Sequence, residues 1–155
     1  MEIKTRLIAR CFSTGRGLGP PTQITPHTAV SGASSLFDFF NGGSRQSSTT
    51  AYVNAQGIIE QYVADVNTPW SNANWPSNQR SLTFETWDGG FPNNSKRTPE
   101  MYESAAQLMA FWAGKFNIPL VLLSQNDSIN GKPGVTLHKY FVATSCPAGL
   151  DIPRL

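Results

Sequence analysis

The stretch from Thr98 to Gly114 constrains the fold more than any other part of the sequence. Thr98 sits in N-cap position, Pro99 takes the first helical residue, and Glu100 lies beside the positive end of the helix dipole. Met101, Ala105, Leu108 and Trp112 follow at helical spacing, so the pattern predicts a helix with one buried stripe, ending near Gly114. A helix with a single apolar face needs a surface to cover, and strand-like segments lie on both sides of it. Ile24 to Val30 is β-type, with Pro26 pointing to an edge position or a strand start. Tyr52-Val53 and Ile58 to Val63 read as two strands around the turn Asn54-Ala55-Gln56-Gly57. Leu82 to Trp87 reads as a strand with Leu82 and Phe84 on one face and Thr83, Glu85 and Trp87 on the other. Ile118 to Leu123 is continuously apolar and is expected to be a central strand. Ala33, Leu36, Phe37 and Phe40 predict a second, shorter helix ending near Asn41-Gly42.

Strands alternating with two helices predict an α/β fold, with a central mixed β-sheet flanked by α-helices. A chain of 155 residues fits one domain. Its core should span about residues 23–150, behind an irregular N-terminal segment over 1–22. Ser13 to Gln23, Asn67 to Gln79, Asp88 to Arg97 and Ser124 to Gly134 read as polar or Gly/Pro-rich loops.

Charge and hydropathy remove several function classes. A net charge of +2 without a Lys/Arg cluster argues against nucleic acid as a partner. No run of 18 apolar residues exists, so no membrane span is expected. Met1 to Arg10 carries no apolar stretch of the kind a secretory signal needs. Cys11 and Cys146 could form a disulfide or remain free thiols.

The candidate chemistry lies in three residues. His27 and His138 are the only histidines, each beside a strand-like segment, and Cys146 follows His138 by eight residues. Zinc accepts imidazole nitrogen and thiolate sulfur, and catalytic sites commonly use three protein ligands. Spacing alone leaves each histidine open to a structural reading and Cys146 open to that of a buried inert thiol.

Four blocks, in order, carry a family resemblance: ITPHTAV at Ile24–Val30, SSTTAYVNAQGIIEQYV at Ser47–Val63, the Trp/Asn loop leading into QRSLTFETWDG at Gln79–Gly89, and GVTLHKYFVATSCPAGL at Gly134–Leu150. Together they resemble the zinc-dependent N-acetylmuramoyl-L-alanine amidases of the peptidoglycan-recognition type, especially phage and bacterial lysins. The resemblance implies one Zn2+ per chain, held by His27, His138 and Cys146. It implies Glu85 as general base, because Glu85 matches the glutamate of the family's "I-E" strand. It places Thr144 where some members carry an oxyanion-stabilising lysine. Thr50 stands where the hairpin commonly has a histidine, Ala148 where Cys-Pro-Gly is usual, and Pro26 where much of the family is apolar. Trp70, Trp75 and Trp87 are candidates for stacking on sugar or lining a peptide groove, while Trp112 is expected in the core.

The implied reaction is hydrolysis of the amide between the lactyl group of N-acetylmuramic acid and L-alanine in bacterial peptidoglycan. The enzyme is expected to be a monomer, and the missing signal fits a lysin made in a host cytoplasm and acting on the wall after release, although a cytoplasmic recycling enzyme would also lack one. Two other functions fit the same residues: a peptidoglycan-binding module without catalysis, and a cysteine amidohydrolase with Cys146 as nucleophile.

Overall fold

A computed structural model of the protein describes residues 1–29, 35–43, 45–89 and 97–155. Its centre is a six-stranded sheet built from β1 (Ile3–Thr5), β3 (Gln23–Ala29), β4 (Ala51–Val53), β5 (Ile59–Gln61), β7 (Ser81–Trp87) and β8 (Gly134–Val135). Two further strands, β2 (Phe12–Ser13) and β6 (Thr68–Pro69), pair antiparallel beside it. The order across the main sheet is β1-β5-β4-β7-β3-β8. Only the β4–β5 hairpin is antiparallel, so the sheet is mixed, as expected. That hairpin turns at Gly57, whose φ of 74° lies in the left-handed region, and a Cβ there would strike the Glu100 carbonyl.

The helices are α1 (Leu36–Gly42), α2 (Trp75–Arg80), α3 (Pro99–Phe116) and α4 (Gln125–Ile129). The long helix begins as its sequence predicts: the Thr98 side chain accepts from the Met101 N–H. Met101, Ala105, Leu108 and Trp112 are all buried, in one cluster with Ile24, Leu82 and Phe84 of the sheet. The helix runs two residues past Gly114 and ends at Asn117, which takes the left-handed cap conformation more often filled by glycine. On α1, Ser35 caps the first turn, and Leu36 and Phe40 join Ile8, Tyr62 and Val63 in a second, smaller core. Ala33 and Val30 lie outside the described residues.

Several expectations are corrected. Ile118 to Leu123 is not a central strand. It makes one bridge, Leu122 to Val135, at the outer edge beside β8, and Leu120, Val121 and Leu122 are half or more exposed. The central place belongs to β7, where Ser81, Leu82, Thr83 and Phe84 are fully buried. Apolar content alone could not tell an edge run from a central one, because the central strand carries serine and threonine paired within the sheet. Segment 1–22 is not wholly irregular, since it contributes β1 at the far edge and β2. The loops expected over Asn67–Gln79 and Ser124–Gly134 hold β6 with α2, and α4, capped by Asn74 and Ser124.

Pro26 does not mark a strand start, but it does occupy a local edge position within an inner strand. β3 lies between β7 and β8, but β8 pairs only with Gln23 and Ile24. The Thr136 N–H donates to the Ile24 carbonyl, so the position two residues on faces the side where β8 has already diverged. The missing N–H of Pro26 is therefore not needed there.

Candidate metal centre

His27 and Glu85 are brought together by the pairing of β3 with β7. The two strands run parallel with His27 opposite Glu85, so both side chains leave the same face near the carboxyl ends of the strands. His138 opens a short 3-10 turn just after β8, behind the buried Leu137. Cys146 lies in the C-terminal loop. That loop is tied down by Arg97, whose guanidinium donates to the Gly149 carbonyl at 2.6 Å, the Ala148 carbonyl at 2.8 Å and the Thr28 hydroxyl at 3.3 Å.

The three ligand candidates converge. One ligand atom each from His27, His138 and Cys146 lies within 4.8 Å of the others, and the two imidazole rings are 4.6 Å apart. The Cys146 sulfur is 3.4 Å from His27 Nδ1. Tetrahedral zinc bonds of about 2.05 Å to nitrogen and 2.3 Å to sulfur would set those atoms about 3.5 Å apart. Among the described residues, Glu85 Oε2 is enclosed without a hydrogen-bond partner, and the enclosed ring nitrogens of His138 have at most the Asn72 main chain beside them. Both cysteines are free thiols, which closes the disulfide reading.

Burial disfavours charge on each of these side chains. It pushes His27 down to about 3, with His138 adding to the effect and Asn72 opposing it. His138 is lowered as well, again by burial. The Cys146 thiol is raised to about 12 by burial and by Glu85, against the Thr28 main chain. The Glu85 carboxyl rises to about 8, through burial. The N,N,S donor set suits zinc.

The centre opens into a cleft of about 220 Å³. One wall is apolar, from Leu36, Phe39 and Phe40 of α1, while Thr28, Ser48, Ser71 and Thr144 present hydroxyls. Thr144 Oγ1 accepts from the Cys146 N–H, which leaves its own hydrogen free to donate. Thr50 lies on no wall: fully buried, it exchanges hydrogen bonds with Thr83 across the β4–β7 pair. None of Trp70, Trp75 and Trp87 lines the cleft. The Trp70 indole donates to Ser13, Trp87 packs on the main core, and Trp75 stands half exposed on the first turn of α2. Trp112 is in the core, 6.2 Å from Phe84, as expected.

One residue of the site escaped the sequence reading. Asn72 is fully buried, with Oδ1 2.8 Å from His27 Nε2. The only hint was the concentration of asparagines in its loop.

The family model for N-acetylmuramoyl-L-alanine amidase matches residues 17–149. The chain belongs to that family. With the His27, His138 and Cys146 cluster in place, this member is a zinc-dependent amidase that acts on peptidoglycan. Solved structures share the fold at low identity. An N-acetylmuramoyl-L-alanine amidase from Clostridium intestinale is 16% identical, with a TM-score of 0.67, over 95% of this chain and 89% of its own. A mutant endolysin from Bacillus subtilis is 18% identical, with a TM-score of 0.70, over 95% and 90%. The endolysin of a Thermus scotoductus bacteriophage is 18% identical, with a TM-score of 0.65, over 94% of each chain. Among curated proteins none matches the chain.

Proposed function

We propose that Glu85 is the general base of this amidase and that Thr144 assists at the oxyanion. The observation that supports Glu85 is its register opposite His27, which sets a carboxyl group at the edge of the metal cluster and in the wall of the cleft. Zinc, held by His27, His138 and Cys146, supplies Lewis acidity, which acidifies water and polarises a carbonyl. Glu85 accepts a proton from the attacking water and hands it to the departing L-alanine nitrogen. The free hydrogen of the Thr144 hydroxyl is directed to the oxygen that gains charge as the amide carbon becomes tetrahedral. Phe39 and Phe40 offer an apolar surface beside the scissile bond, and Trp75 has the most exposed ring for a sugar outside the cleft.

Catalysis by the Cys146 thiol finds no support. A nucleophilic cysteine needs a lowered pKa, and burial together with Glu85 drives this one the other way. In this reading the enzyme also works as a monomer, made in a host cytoplasm and reaching the wall after release. The endolysins among its structural neighbours support that setting.

Digestion of purified peptidoglycan, followed by mass spectrometry, tests the function. Stem peptides with a free L-alanine amine should appear, chelator should stop their release, and zinc should restore it. The variant His138→Ala should bind no zinc and release none. Release that continues after complete metal removal would refute the zinc chemistry.

A further inference from the structure

The geometry points to Asn72 as the positioning residue that fixes which nitrogen of His27 faces the metal. His27 is 2% exposed and its two ring nitrogens have different neighbours. Nδ1 looks toward the Cys146 sulfur at 3.4 Å, and Nε2 toward Asn72 Oδ1 at 2.8 Å. An amide oxygen accepts and cannot donate, so it selects the tautomer with hydrogen on Nε2 and leaves the Nδ1 lone pair directed into the cluster.

The amide is itself held in that orientation. Asn72 Nδ2 donates to Ser77 Oγ at 2.7 Å and reaches Thr25 Oγ1 at 3.5 Å. The Asn72 N–H donates to Asn78 Oδ1 at 2.7 Å, and the Ser71 N–H shares that acceptor at 3.2 Å. Asn74 caps the first turn of α2 by accepting from the Ser77 N–H. A run of asparagines thus makes a rigid loop whose inner end is aimed at one imidazole. A partner on the outer nitrogen of a metal-bound histidine fixes its rotation and raises its basicity as a ligand. The Asn72 side chain is not part of the cleft wall and acts through His27, while its main chain lies beside His138 and is unchanged by substitution of the side chain.

The inference rests on the zinc reading, and its test separates the two. Zinc affinity is measured by competition with a chelating dye, and the zinc-loaded protein is examined by nitrogen-15 histidine NMR, simple here because the chain has two histidines. Wild type should bind one zinc, with Nδ1 of His27 shifted by the metal and a slowly exchanging Nε2–H. Asn72→Leu, of similar size but without an acceptor, should bind zinc roughly 10- to 100-fold more weakly and lose the slow Nε2–H signal. Asn72→Asp keeps an acceptor and should restore both. A wild-type His27 with its proton on Nδ1 overturns the inference, as does a folded leucine variant with unchanged affinity or an aspartate variant as weak as the leucine one. Should the leucine variant fail to fold, the wild-type spectrum and the aspartate variant decide. Failure of wild type to bind zinc overturns the metal reading itself.

Discussion

Glu85 is the residue whose chemistry depends most on where the fold has put it. On a free strand it would be an ordinary carboxylate. Here one oxygen is enclosed without a partner and the acid is pushed up to about 8. Replacing it with glutamine preserves shape and removes proton transfer, so Glu85→Gln should keep one zinc per chain while turnover falls roughly 10²- to 10⁴-fold. Zinc content and product release, measured on the same sample, check both halves. The shift also has a sign in the zinc-free protein. The folded value lies above the ordinary 4.5, so the stability is fully present below pH 4.5 and is lost as pH rises through about 8. His27 and His138, lowered by burial, give the opposite slope below pH 6.5, so the Glu85 contribution is read as the difference in unfolding free energy between wild type and the glutamine variant, both zinc-free, which should shrink by on the order of a few kcal/mol between pH 4.5 and about 8. His138 and Cys146 were legible through the block GVTLHKYFVATSCPAGL, which carries both at the family's eight-residue gap, and not through their chemistry alone. Asn72 was not, because its meaning comes from a partner 45 residues away and asparagine is ordinary in loops.

At the scale of elements, legibility followed the origin of each signal. α3 was readable because cap, first turn and stripe are all written within one segment, and Thr98 does more than cap: its hydroxyl also donates to the Ala55 carbonyl in the β4–β5 turn. Thr98→Ala should therefore cost about 1–2 kcal/mol in a denaturant melt and leave zinc stoichiometry unchanged. A loss of zinc in that variant would show that helix and site are coupled more tightly than their separate packing implies. The position of Ile118–Leu123 was not readable, because strand order is settled by pairing between distant segments. β7 became central by matching β3 and β4 on its two sides, although four of its seven residues are polar. The short α2 and α4 were hidden for a related reason. Each is barely more than one capped turn, too brief for a periodic pattern to emerge from a polar loop.

For the whole molecule, the separation of the ligands matters more than their identity. His27 and Cys146 stand 119 residues apart in sequence and 3.4 Å apart in space. An ion bound to both ties together the ends of a loop containing most of the chain, and because the site exists only in the folded chain its binding adds to stability, by about 4 kcal/mol when free zinc is roughly 1,000-fold above the dissociation constant. Against a total stability of roughly 5–15 kcal/mol, that is a large share. Chelation should accordingly lower Tm by roughly 8–16 °C, measured by calorimetry with and without zinc, and His138→Ala should show a depressed Tm that added zinc does not restore. The consequence reaches past the reaction. An enzyme whose reagent is also its fastener is exposed to proteases whenever metal is scarce, so the supply of zinc sets how much intact protein survives.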